Sequence, residues 1–450
     1  MIINAIKRSD SNSSIPSDWE YSTVEELIEK DKRAIKIGPF GSSLKKEYLT
    51  KNGYKVYGQE NIIEGNFQIG DRFVDEERFE LLKSSEIKPG DIVMSMMGTI
   101  GKSMIVPQDI QRGIMDSHLL RIRLNENVIN KELFIHQFKD YFPTIKQIQQ
   151  QSVGGIMSGL SSSIVKKIKL AVPPLKEQQK IVSILSTWDK AIELEEKLIE
   201  QKKEQRKGLI QKLLWGHVRW NDIERGYSDQ ELNERDSLII QGIPPEGYQK
   251  VKRFIIPKDW EFLKIGEIAQ QVSNVNKDNN KYIVLSCTKY DGLVDSLKYF
   301  GKQVFSSDLS KYKVVSKNEF AYATNHIEEG SIGLQRSYDF GLVSPMYTVF
   351  KSKSNINNEF LFALLKTENY RRIYETMMSA SVDRRGSLRW NAFSKIQVPV
   401  PSMKEQEKIM SILLTSIKEI KYLEKKLEDL NLQKKGLMQL LLTGKIRVKM

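Results

Sequence analysis

Two stretches of the chain place apolar residues at alternating steps of four and three. The first runs Ile181, Leu185, Trp188, Ile192, Glu195, Ile199, Lys202, Arg206, Leu209, Leu213. The second runs Ile409, Leu413, Ser416, Ile420, Leu423, Leu427, Leu430, Lys434, Leu437, Leu441. That stepping keeps one helix face in register, and about five heptads with Glu/Lys flanks predict a coiled coil. The Ile and Leu members of both runs are the expected helix-pairing and subunit-interface residues. The first copy is weak in its middle, at Glu195, Lys202 and Arg206. At 1.5 Å per residue, a helix of roughly 35 residues is about 50 Å long. Gly216 and Gly444 stand where a C-cap belongs. Identical register predicts that the two helices pack on each other rather than lying separately on their own domains.

Elsewhere the pattern is short and β-rich. Tyr54–Tyr57, Asp91–Met94, Ser103–Val106 and Leu119–Leu124 read as strands between Gly/Pro punctuation, with a helix over Lys131–Asp140. Tyr282–Leu285, Glu319–Tyr322 and Met346–Phe350 answer them, with a helix over Asn358–Leu365. Each globular part is therefore expected to be α+β, of about 150 residues.

The two halves repeat. Val172-Pro173-Pro174-Leu175-Lys176-Glu177-Gln178 returns as Val400-Pro401-Ser402-Met403-Lys404-Glu405-Gln406, 228 residues later. Lys207-Gly208-Leu209 returns at the same offset as Lys435-Gly436-Leu437. Ile15-Pro16-Ser17-Asp18-Trp19 returns as Ile256-Pro257-Lys258-Asp259-Trp260, at an offset of 241. A period this long is a duplicated domain plus helix, since solenoid repeats run at roughly 20–50 residues. The expected order is a tail (1–14), a first domain (15–174), a central helix (175–216), a linker (217–250) rich in Asp, Glu, Gly and Pro, a second domain (251–401), a C-terminal helix (402–444) and a tail (445–450).

The formal charge of +13 favours a polyanionic partner, nucleic acid or an anionic membrane surface. The single cysteine, Cys287, excludes an internal disulfide framework. The N-terminus lacks a signal-peptide core, and no apolar run nears the roughly 18 residues of a membrane span. A soluble, cytoplasmic protein is expected.

Catalytic signatures are sparse. Gly98-Thr99-Ile100-Gly101-Lys102-Ser103 imitates a phosphate loop, but Met96 stands where the first glycine is needed. A turn, or a contact to a nucleic-acid phosphate through Thr99 and Lys102, is the better reading. His118, His136, His217, His326 and Cys287 show no metal-ligand spacing, and no amino-methyltransferase motif or nucleophile elbow is visible. Catalytic residues, metal ligands and a cofactor bound by this chain are therefore not expected. The basic and polar loops carry more. Arg384, Arg385 and Arg389 crowd one turn, suited to guanine edges or phosphates, or to a solvated loop paired with Glu375 or Asp383. In Lys36-Ile37-Gly38-Pro39-Phe40-Gly41-Ser42-Ser43-Leu44-Lys45-Lys46, the candidates are Lys36, Ser42, Ser43, Lys45 and Lys46, although the glycines equally suit a tight turn. Gln59 and Asn61 fit an adenine edge or a turn cap.

Together these landmarks resemble the specificity subunit of type I restriction–modification systems: the 38–43 loop with Gly58-Gln59-Glu60-Asn61-Ile62, the 98–102 turn, the 173–179 junction, and the helix end at 434–439. The resemblance spans essentially the whole chain. It implies two target-recognition domains separated by two long helices that form an antiparallel coiled coil, each domain reading half of a bipartite double-stranded DNA site. It implies a catalytically silent subunit. Two modification subunits would hold S-adenosylmethionine, and restriction subunits would use ATP and Mg. The second half lacks a Gly-Pro-Phe-Gly loop and reads Val-Pro-Ser at its junction, so the half-sites are expected to differ. A self-contained nuclease with an unrecognised site and a coiled-coil scaffold without nucleic acid remain as alternatives.

Overall fold

The computed structural model describes residues 15–96, 102–139, 141–151, 161–222, 225–379 and 386–449. It divides into two compact units: Met1–Lys197 with Lys425–Met450, and Leu198–Glu424. Both boundaries fall inside long helices, so each unit holds one domain, the start of one helix and the end of the other.

The first unit builds two four-stranded sheets. One has the order β2 (Ile35–Ile37), β9 (Leu119–Ile122), β6 (Ile92–Ser95), β7 (Ser103–Ile105) and is antiparallel throughout. Its central strands β6 and β9 are buried at every position, Ser95 and Arg121 included. The other has the order β4 (Phe73–Val74), β3 (Tyr54–Tyr57), β8 (Gly113–Met115), β5 (Glu86–Ile87), with β3 and β8 parallel. A third pairing, β1 (Glu20–Thr23) with β10 (Lys169–Val172), brings the start of the domain beside its end.

The second unit repeats this strand for strand. Its sheets are β14 (Ala269–Val272), β21 (Tyr347–Ser352), β18 (Phe320–Ala323), β19 (Ile332–Leu334), and β16 (Gly292–Asp295), β15 (Ile283–Thr288), β20 (Phe340–Val343), β17 (Lys313–Ser316). β15 and β20 are the parallel pair, and β13 (Glu261–Lys264) with β22 (Gln397–Val400) closes the domain. The parallel registers locate the length difference. Trp19 stands 37 residues before Val56, but Trp260 stands only 24 before its counterpart Val284. From there to the paired strand both units take 58 residues, Val56 to Ile114 and Val284 to Leu342. The whole divergence in frame thus lies ahead of the parallel pair, where the first unit carries its Gly-Pro-Phe-Gly loop.

Two uninterrupted helices, Leu175–Leu214 and Met403–Leu442, supply the repeated seam. In the first unit Ile181 and Leu185 share a core with Met438, Leu441 and Leu442. In the second, Leu213 and Leu214 share one with Ile409, Met410 and Leu413. Ile199, Ile420 and Leu423 are buried, and Ile192, Leu209, Leu427, Leu430 and Leu437 are half-buried. The weak middle positions are met by charge. Glu195 takes Lys426 at 2.9 Å, beside an Asp189–Lys434 pair, within the first unit. Lys202 takes Glu419 at 2.7 Å within the second. In each unit partner numbers fall as helix numbers rise, so the pairing is antiparallel. A polar pair inside a seam costs stability and specifies register.

The helix ends explain the repeated junction words. Arg219, just past the central helix, donates to Glu405 at 2.5 and 2.7 Å and to Asp259 at 3.0 and 2.9 Å. The Trp260 indole donates to the same Glu405 at 3.1 Å. In the first unit Arg447 donates to Glu177 at 2.7 and 2.8 Å and to Asp18 at 2.9 and 2.7 Å, and Trp19 donates to Glu177 at 2.9 Å. Burial opposes the Arg219 charge, but the two carboxylates outweigh it and hold the guanidinium above its ordinary range. Beside each glutamate a buried glutamine staples the domain: Gln178 bonds the Asn130 N–H and the Val128 and Pro173 carbonyls, and Gln406 does the same with Asn357, Asn355 and Pro401. Gly216 and Gly444 end the helices at φ +70° and +66°. A side chain on either would strike a proline ring, Pro257 at 2.6 Å and Pro16 at 2.4 Å.

Two expectations are corrected. Residues 217–250 are not a bare linker. They hold a helix, Asp229–Ile240, opened by a Ser228–Glu231 capping box, and a strand, β11 (Tyr248–Val251), paired with β12 (Phe254–Pro257). The Asp222–Arg235 ion pair and the Tyr248 hydroxyl on the Gly216 carbonyl tie the segment to the helix end. Averaged composition hid a helix start among its turns, and a boundary at 250 would cut a hairpin. The residues after Gly444 are likewise no loose tail, because Arg447 closes the clamp. The expected first tail, residues 1–14, lies outside the described residues.

Breaking a buried ion pair by removing one partner costs about 3–5 kcal/mol. The Arg219 side chain is 9% exposed and that of Arg447 is 43% exposed. Arg219→Ala is therefore expected to lower the unfolding free energy of the second unit by about 3 kcal/mol. Arg447→Ala should cost the first unit distinctly less. Hydrogen exchange of the two units in urea measures both, and equal losses would contradict the ranking.

Candidate nucleic-acid interface

In the first unit several loop motifs converge on Asp116, at the turn after β8. Gly38 donates its N–H to Leu119 and lies so close to the turn that a Cβ would sit 2.0 Å from the Asp116 carbonyl oxygen. Asp116 donates its own N–H to Tyr57, next to Gly58. Its carboxylate takes Arg72 at 3.0 Å, and Arg72 also holds Glu60 at 2.6 Å. Burial of Arg72 opposes its charge, and the two carboxylates raise its pKa regardless. Met96 donates to the His118 carbonyl at 3.0 Å. The Lys102 ammonium bonds the Ile63 carbonyl at the end of the short helix Gln59–Ile63.

The candidate residues divide around this hub. Ser42, Lys45 and Lys46 are exposed and Ser43 is half-buried, on a loop of single 3-10 turns beside Phe40, itself 65% exposed. Lys45 meets Glu47 at 3.3 Å, a surface pair of little strength. Gln59 is half-buried, and its side-chain oxygen is itself buried and lacks a protein partner. Asn61 is a correction. It is buried, accepts the Gly58 N–H at 3.0 Å and donates to the Asn66 and Ile69 carbonyls at 3.1 and 2.9 Å. Its amide edge is spent on the turn. Lys36 is corrected likewise: on β2 its ammonium bonds the Ser84 hydroxyl, and burial, with Arg121 and Arg33 beside it, lowers its pKa. Lys102 braces the hub through Ile63. Thr99 lies outside the described residues, as do Arg384 and Arg385. Arg389 is exposed at the start of the turn Trp390–Phe393, and the neighbouring Leu388 N–H bonds the Thr324 carbonyl at 2.7 Å.

The second unit keeps the framework and changes the fittings. The loop after β14 is shorter and has no Gly-Pro-Phe-Gly. The β18–β19 connection, equivalent to that between β6 and β7, carries His326, Glu328 and Glu329, with His326 3.1 Å from Glu329. The long β3–β4 connection becomes a tight turn between β15 and β16. Both turns are held by Lys366, whose ammonium donates to the Thr288, Lys289 and Gly330 carbonyls at 3.1, 2.8 and 2.7 Å. Burial pushes its pKa down to about 8. Neither Asp116 nor Lys366 stands in any local pattern, so sequence reasoning missed both.

Gly38 and Gly41 separate two reasons for glycine. A Cβ at Gly38 meets backbone that cannot yield, whereas Gly41 has open space and a φ of +50°. Gly38→Ala is expected to destabilise the first unit by about 3 kcal/mol, at the upper end for overpacking. Gly41→Ala should cost about 1 kcal/mol, the left-handed penalty. Thermal unfolding of the two variants tests the order.

No described helix is long and apolar enough to cross a membrane. The family model for the type I restriction modification DNA specificity domain matches residues 16–203 and again 257–432. The chain is 26% identical to the type I restriction enzyme MjaVIII specificity subunit of Methanocaldococcus jannaschii, over 97% of this chain and 94% of that one. It is 29% identical to the putative type I restriction enzyme specificity subunit S.HindORF215P of Haemophilus influenzae, over 38% of this chain and 44% of that one. In fold it resembles the HsdS subunit from Thermoanaerobacter tengcongensis, with a TM-score of 0.51 and 13% identity over 98% of this chain and 100% of that one. A chain solved in work on assembly and conformational transition of the type I R-M system gives 0.55 and 13%, over 96% and 100%. One family model thus finds both copies of the repeat, each domain together with most of its helix, and the chain belongs to the type I restriction–modification DNA specificity family.

Proposed function

We propose that this chain reads a bipartite, asymmetric DNA site for a type I restriction–modification complex, one half-site per unit. One observation carries the reading: two domains with the same strand order and the same helix clamp differ in the loops around the parallel strand pair. Frames that must match have been kept, and the surfaces suited to bases have diverged. The basic balance of +13 supplies attraction to phosphates, and exposed Lys45 and Lys46 lie on the loop before β3. The subunit is itself non-catalytic and binds no cofactor. S-adenosylmethionine, ATP and Mg belong to the modification and restriction subunits that dock on it.

Duplex binding by the purified chain should weaken steeply with salt, by about 10³-fold or more between 50 and 200 mM if six or more phosphates are neutralised. Salt-independent binding would favour a scaffold without a nucleic-acid role, and sustained cleavage of plasmid by the chain alone with Mg would favour a nuclease. Joint substitution of Arg384, Arg385 and Arg389 by Ala is expected to relax one half of the methylated sequence in cells that also carry the modification partner. Methylome sequencing reads this directly, and an unchanged sequence would remove that loop from the interface.

A further inference from the structure

The β15–β16 turn of the second unit displays an aromatic ring from an unusually well-fastened base. Tyr290 is 80% exposed, and among the described residues no large apolar or aromatic side chain is more so. Single exposed apolar residues are ordinary on a protein surface, so the ring alone says little. What holds it says more. The Lys366 ammonium has three donors, and all three are spent on loop carbonyls: two in this turn, at Thr288 and Lys289, and one at Gly330 in the adjoining β18–β19 connection. The Thr288 hydroxyl takes the Asp291 N–H at 2.9 Å. Gly292 closes the turn at φ +71°, where a Cβ would come within 3.3 Å of Phe362 and 3.5 Å of Gly333. Burying a lysine against carbonyls is costly. Here it fastens two loops whose only large apolar projection between the strands is Tyr290. The Lys289 ammonium lies over the ring, 5.2 Å from its centroid.

The position is also informative. The turn leaves β15, the strand equivalent to β3, and so occupies the place of the connection that starts with Gly58 and Gln59 in the first unit. A rigid aromatic with two rotatable angles loses little entropy on contact. Its ring offers a face to bases and to the thymine methyl, and its hydroxyl can both donate and accept.

We propose that Tyr290 is a specificity-determining residue of the second unit, laid against the bases of its DNA half-site, with Lys289 on an adjoining phosphate and Lys366 as the positioning residue. This rests on the reading of the chain as a two-half-site DNA specificity subunit. The test uses the complete complex with its modification partner, methylome sequencing, and titration of a duplex carrying the wild-type site. Tyr290→Ala should leave assembly intact, make at least one position of one half-site degenerate, and weaken binding about 10-fold, as expected for one lost base contact. Tyr290→Phe should keep most of the affinity. Lys366→Met should relax the same half-site, and adding it to Tyr290→Ala should relax the sequence no further. Joint Lys45→Ala and Lys46→Ala substitution, in the first unit, should leave that half-site unchanged. An unaltered methylated sequence and affinity in Tyr290→Ala would overturn the proposal, as would failure of that variant to assemble, which would make the ring a protein contact. A wild-type complex that methylates no defined sequence would instead overturn the underlying reading and not the geometry of the turn.

Discussion

One arginine past the end of each long helix decides how the chain closes. Arg219 grips Glu405, the third residue of the C-terminal helix, and Arg447 grips Glu177, the third residue of the central helix. Each pair sits under a tryptophan and beside an aspartate that open the domain of the same unit. The end of one helix is thereby locked to the start of the other and to the first strand of a domain. A buried carboxylate against a two-pronged guanidinium permits one geometry, so helix pairing, strand β1 or β13, and the domain's closing strand are set together. Remove the arginine, and a buried glutamate loses its counter-charge while the indole loses a fixed acceptor.

That constraint leaves the loops of each domain free to vary. The sheets carry the same strand order twice, yet the connections around the parallel pair share almost nothing: a long glycine-rich loop with exposed lysines in one unit, a short turn bearing Tyr290 in the other. In the first unit the loops gather on a carboxylate, Asp116; in the second they gather on an ammonium, Lys366. Opposite charges serve the same end, because either can satisfy loop backbone or side chains that no strand ladder reaches. A recognition subunit needs this separation, since loops can change what they read only if the frame does not depend on them.

Much of the architecture was legible along the chain. The 4-3 stepping located both helices, the repeat located both domains, and Tyr54–Tyr57 and Asn358–Leu365 are elements with the bounds their patterns suggest. Composition misled where a side chain's own contacts decided its role. Asn61 and Lys36 carry suitable chemistry for DNA, but their partners, the Asn66 and Ile69 carbonyls and the Ser84 hydroxyl, use it up. Residues 217–250 resembled a polar stub because a capping box and a paired strand have the same composition as a loop.

The sequence by itself determined the duplication, the helical seam and the membership of the junction words, since periodicity and repetition are properties of one dimension. Arg219 and Arg447 also stand 228 residues apart, but nothing in the repeated words singled them out. Only the tertiary structure decided what those words do. The arginine and its glutamate are 186 residues apart in one clamp and 270 in the other. Pairings that distant are selected by burial and charge after the chain has folded, and no local pattern records them. The same holds for Asp116 and Lys366, each an unremarked residue until the loops close around it.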